Sequence, residues 1–266
     1  MTANNFNVTT MALVLTIFGG SDLFADEQNP RKALVEVTRN LGRMASESGY
    51  RAEIRAVGGL TEAADHRVDT PAAYLRVAVD VRGRLMHIPV LSSYIIGDKG
   101  AIDFEGHWRA IQSTRQGRAI QGMLNVPTDL LLCALKRGSQ VTWKVPGRVL
   151  KVELAPQRSR HLFIEMNNSG CMRSSEWFYS RRESRIDATN THGVLEIAIN
   201  SATRLPESID YTLMAGYRDD QGRVAKKTLA FQEGVQHVAF NCFYRLDTTA
   251  AVSEMRLSRK LTKLLK

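Results

Sequence analysis

Residues 29–57 read NPRKALVEVTRNLGRMASESGYRAEIRAV, and the change of period inside this stretch decides how the fold is read. Leu34, Val37, Leu41 and Met44 recur three and four residues apart, which places them on one apolar stripe of a helix. Asn29 is suited to accept the first free amides, Pro30 fits the first helical position, and Gly49 fits the exit. Arg39 and Arg43 fall off the stripe. From Tyr50 the period drops to two. Ala52, Ile54 and Ala56 alternate with Arg51, Glu53 and Arg55, which predicts a strand with one buried face.

Upstream, Phe6 to Phe18 is rich in Val, Leu, Ile and Thr and reads as a buried strand ended by Gly19-Gly20. The opening is therefore expected to be strand–helix–strand. Downstream, Leu75, Val77, Val79 and Val81 alternate with Arg76, Ala78, Asp80 and Arg82, and a hairpin turn is expected near Gly83. A short helix should follow Pro127, and Val141 to Trp143 reads as a strand. Beyond it GRVLKVEL, HLFIEM, GVLEIAI and VQHVAFNCFYRL all read as strands, and YTLMAGYRDDQGRVAKKTLAF as a hairpin. The predicted fold is α+β. An N-terminal strand–helix–strand unit sits on a mixed or antiparallel sheet in residues 1–147, and a β-rich half spans 148–252. Residues 253–266 read as a basic amphipathic tail helix.

The chain has 266 residues, 44% of them hydrophobic, enough to bury a sizeable core. Thirty-six Lys and Arg against 27 Asp and Glu leave a formal charge of +9, a balance that favours anionic partners. Cys133, Cys171 and Cys242 are far apart and form no CxxC pair, which argues against a disulfide framework. The apolar run Met11–Phe18 is too short to span a bilayer and has no basic residue before it. The expectation is a protein neither secreted nor transmembrane.

No phosphate loop, dinucleotide fingerprint, nucleophile elbow or HExxH zinc motif occurs, and the six histidines are scattered singly. No cofactor and no metal site is expected. Asp103, Glu105 and His107 are two apart and would share one side of an extended strand, an acid–base arrangement without a distant partner. A solvated loop is the default reading of the three. Trp177, Phe178 and Tyr179 stand beside Arg181, Arg182 and Arg185. Aromatics among arginines can stack bases and hold phosphates, sit at a membrane interface, anchor a protein contact, or simply edge a core. The tail sets Arg256, Arg259, Lys260, Lys263 and Lys266 among Leu257, Leu261 and Leu264. That pattern fits a helix on an anionic surface, or one docked on the domain or on a neighbouring subunit.

MLNVP at Met123–Pro127 leads into a short apolar helix, then Lys136-Arg137-Gly138, then Val141-Thr142-Trp143. This order resembles a stretch of rhabdovirus matrix proteins, although the proline- and lysine-rich N-terminal segment of that family has no counterpart here. The resemblance implies a non-enzymatic homo-oligomer that binds the anionic inner membrane face and contacts a viral nucleocapsid. Its location would be the virion and the host cytoplasm. The alternative from the same charge is a viral single-stranded RNA-binding or movement-type protein. An enzyme centred on Asp103, Glu105 and His107 is the third reading. On the first two, Trp177, Arg181, Arg182, Arg185, Arg256, Arg259, Lys260, Lys263 and Lys266 are the binding residues.

Overall fold

The computed structural model describes residues 29–61, 70–96, 99–113, 126–168, 186–217, 237–250, 252, 255 and 257–266. The strand expected at Phe6–Phe18 lies outside them.

Helix α1 is Pro30–Glu47, with the Asn29 side chain accepting from the Arg31 and Lys32 amides. Its stripe of Leu34, Val37, Leu41 and Ala45 is buried. Gly49, at φ +72°, ends it; a Cβ there would lie 2.7 Å from the Val81 carbonyl oxygen, so only glycine fits this exit. Strands β1 (Tyr50–Thr61) and β2 (Thr70–Arg82) follow, and Gly83, at φ +60°, turns the chain into β3 (Leu85–Ile88). Then come β4 (Ser93–Ile96), β5 (Lys99–Phe104) and β6 (His107–Ala110). Helix α2 (Pro127–Ala134) leads to β7 (Gln140–Val145), β8 (Val149–Glu153) and helix α3 (Pro156–Asn168). Long strands β9 (Ile186–Ile199), β10 (Pro206–Tyr217) and β11 (His237–Asp247) precede a short helix α4 (Arg259–Leu264).

The eleven strands of the described residues join one sheet in the order β6-β5-β4-β3-β2-β1-β11-β10-β9-β8-β7. Every pairing is antiparallel. This corrects the expected α+β class, a strand–helix–strand unit on a sheet followed by a β-rich half. The structure is dominated by a single sheet, and the helices lie upon it. The reason is the β1–β11 pairing, in which Ile54 faces Tyr244 and Ala56 faces Cys242 on the buried side. On the exposed side Arg51 faces Asp247 and Glu53 faces Arg245. Matching alternation on both strands lets residues almost 200 positions apart share one apolar face.

The stretch HLFIEM is not a strand but part of α3. Pro156 supplies the first-turn residue, and Ser159 and Leu162, three apart, are buried on the helix that packs against β9. Gly193 makes that contact close: a Cβ would meet Ser159 Oγ at 2.9 Å and Leu154 and Leu213 at 3.0 Å.

The tail is docked. Leu261 and Leu265 are buried with Ala101 and pack with Leu85, Tyr94, Ile96 and Trp108. These belong to the face of β3–β6 opposite to Met86, Ile88 and Ile95, which enter the main core. That wing of the sheet is thus apolar on both sides.

Candidate functional site

The strands present two chemically different faces. One face carries Ile54 and Ala56 of β1, Val77 and Val79 of β2, Phe240 and Tyr244 of β11, and Tyr211 and Leu213 of β10, all in the main core. It continues through Leu195 and Ile197 of β9 to Leu150 and Val152 of β8. Helices α1, α2 and α3 belong to the same core through Leu34, Leu41, Leu130, Leu131 and Leu162. Within it the hydroxyls of Tyr50 and Thr128 are buried without a hydrogen-bond partner. Burial, aided by the negative charge of Asp129, holds the Tyr50 hydroxyl far above its usual range, so it stays neutral and a donor. Asp129 itself pairs with Arg84 at 3.3 Å.

Over β1, β2, β10 and β11 the other face is mostly polar. Glu53 accepts from Arg55 and Arg76, with Arg76 Nε at 2.8 Å, and these contacts pull its carboxyl below the usual range. Arg51 Nε donates to Asp80 at 2.9 Å. A cavity of about 480 Å³ opens over this face, bounded by Arg51, Glu53, Ala78 and Arg245, with the 200–207 turn and Thr248-Thr249 as its wall. Asp247 Oδ1 accepts from the Thr249 hydroxyl at 2.8 Å and from the Thr249 and Ala250 amides. Those bonds, the Thr249 hydroxyl first, hold its carboxyl low.

Of the residues singled out in the sequence, Trp177, Arg181, Arg182, Arg185 and Arg256 lie outside the described residues. Arg259, Lys260, Lys263 and Lys266 are exposed beside the docked leucines of α4. Asp103, Glu105 and His107 do not share a strand face. Glu105 and Gly106, at φ +54° and +79°, are the two central residues of the β5–β6 turn. The chain therefore reverses between Asp103, which pairs with Trp108, and His107, which pairs with Phe104. His107 Nδ1 lies 3.0 Å from the Glu105 carbonyl oxygen, a local turn contact. Among the described residues no three His, Cys, Asp or Glu side chains are grouped to hold a metal ion. No described helix is long and apolar enough to cross a membrane. The polar groove was missed in the sequence because its walls come from β1, β2, β10 and β11. Its one legible signal was the Arg-x-Glu-x-Arg alternation of β1.

No family model matches the chain, and no curated protein matches it. Among solved structures, LprF from Mycobacterium bovis is similar with a TM-score of 0.28 and 8% identity, over 85% of this chain and 96% of that one. A LolA superfamily protein from Nitrosomonas europaea, NE2245, is similar with a TM-score of 0.28 and 7% identity, over 86% and 96%. A likeness at this level does not extend to function. Neither protein is a viral matrix protein. The resemblance expected at Met123–Trp143 is corrected: residues 126–143 are a short helix-to-strand passage, α2 into β7, whose leucines Leu130 and Leu131 serve the core. With it go the matrix function, the RNA-binding alternative, and the expected homo-oligomer, anionic-membrane and nucleocapsid partners.

Proposed function

We propose that the protein is a non-catalytic binding protein that holds an elongated apolar ligand, such as an acyl chain, between the apolar face of the sheet and the helices on it. The observation that carries this reading is that the Tyr50 and Thr128 hydroxyls lie buried without a hydrogen-bond partner inside the apolar layer where helices α1, α2 and α3 meet the sheet. The side chains on the face are closed off from solvent in this structure, with Ile54, Tyr211 and Phe240 all at 0% exposure, so a ligand enters by displacing part of their cover. The unpaired hydroxyls of Tyr50 and Thr128 offer hydrogen-bonding positions for a polar end.

The test is titration with cis-parinaric acid, followed by its fluorescence, with native mass spectrometry of the same sample. Saturable one-to-one binding, displaced by lauric acid, is the expected result. Ala56→Phe, which fills the inner face of β1, should weaken it at least tenfold, while Arg55→Gln on the outer face leaves it unchanged. Circular dichroism verifies that each variant folds. Absence of saturable binding and of any mass adduct in the parent protein refutes the reading.

A further inference from the structure

The groove on the polar face stands on observations separate from those of the apolar interior. It has the dimensions of a small-molecule site, about 480 Å³, formed where β1 and β11 meet the 200–207 turn. Its charges are unevenly committed. Glu53 is held by Arg55 and Arg76. Asp247 accepts through Oδ1 from Thr249 and Ala250. Glu207 accepts from the Asn200 amide at 2.9 Å. Arg51 donates through Nε to Asp80 and also lies in the field of Asp247, while no hydrogen bond engages its two Nη groups among the described residues. Arg245 stands opposite Glu53 on one side and Ser208 on the other, yet no bond or ion pair engages its guanidinium among the described residues. Glu53 has turned away to its two other arginines. Thr248, half-buried in the wall, adds a hydroxyl.

We propose that this groove binds a small molecule bearing a phosphate or carboxylate, with Arg245 as the principal anchor and the Nη groups of Arg51 as the second donor. Arg51 and Arg245 are diagonal neighbours on the outer face, a spacing of about 7–8 Å between positions that lets two guanidiniums converge on one anion. A guanidinium presents paired donors matched to the two oxygens of either group. Glu53 is offset by Arg55 and Arg76, whereas Asp247 and Glu207, bonded to neutral donors, keep their negative charge, so the anion is held by the directed guanidinium donors and not by a net positive field. Ala78, opposite Glu53 on β2, keeps the floor low between Arg76 and Asp80.

The experiment records amide shifts of the full-length protein on titration with inorganic phosphate and, separately, with citrate, at ionic strength held constant with sodium chloride. Saturable shifts confined to 200–207 and 245–250 are expected with at least one probe. Arg245→Gln should weaken binding tenfold or more, Arg51→Gln by a smaller factor, and Arg137→Gln, in the turn after α2, not at all. If Arg245→Gln lowers the melting temperature, Arg245→Lys takes its place: it keeps the charge but loses the fork, and should still weaken binding several-fold. Linear shifts scattered over the surface, or equal affinity in the Arg245 variants, overturn the proposal. These arms do not touch the apolar face, so their failure leaves the carrier reading standing, and the reverse.

Discussion

Replacing Leu131 by Ala separates a packing helix from a binding wall. Leu131 is fully buried on α2, which packs against α1, while its neighbour Leu132 is 49% exposed. The substitution removes three carbons, and at about 0.8 kcal/mol per buried methylene the transfer loss is about 2.4 kcal/mol. The cavity left behind adds to this, which brings the expected cost to about 3 kcal/mol within the range of roughly 2–5 kcal/mol seen for such changes. For a chain of this size each kcal/mol moves the melting temperature by about 2–4 °C, so a fall of roughly 6–12 °C is expected. Leu132→Ala, on the solvent side of the same turn, should stay within about 0.5 kcal/mol. Urea denaturation gives the free energies, and calorimetry the melting temperatures. A Leu131→Ala loss under 0.5 kcal/mol, or an equal loss at Leu132, would refute the placement of α2 in the core.

Three further outcomes are expected. Gly100→Ala drives a Cβ to 2.5 Å from Ile111 Cγ2 and should cost about 1–3 kcal/mol; adding Ile111→Ala should recover part of the Gly100→Ala cost, and strict additivity in denaturant melts would contradict the contact. His87, stacked on Tyr94 at 4.4 Å, and His192 are both held below the usual imidazole value of 6.5 by burial. The unfolded chain therefore binds their protons first, so stability present above pH 6.5 should fall as pH drops through that value. Flat stability between pH 7.5 and 5.5 in a His-only comparison with His87→Gln/His192→Gln would exclude this linkage. Leu261→Ser with Leu265→Ser should release α4 and shift the emission of Trp108, which packs beside it, to the red; unchanged emission would show that the tail does not dock there.

Much of the local structure was legible in the sequence. The stripe Leu34–Leu41, the Asn29 cap and the Gly49 exit specify α1 because a helix is closed by contacts three and four residues apart. The alternations of Tyr50–Ala56 and Leu75–Val81, with Gly83 between β2 and β3, specify strands, their buried faces and one hairpin. Alternation names a face, however, and not a neighbour. That β1 pairs with β11, making one sheet of the two halves, rests on complementarity between distant strands that a period of two cannot express. The helix at HLFIEM was decided by its fit against β9 at Gly193, which overrode the strand preference of Leu, Phe and Ile. The basic tail has a surface-helix pattern whether its leucines meet a membrane or a protein. Only the second apolar face of β3–β6, with Tyr94, Ile96 and Trp108, decided that they meet the protein's own sheet. The polar groove and its uncommitted Arg245 belong to the same class of fact, because a charge is free or engaged only once the strands on either side of it are in place.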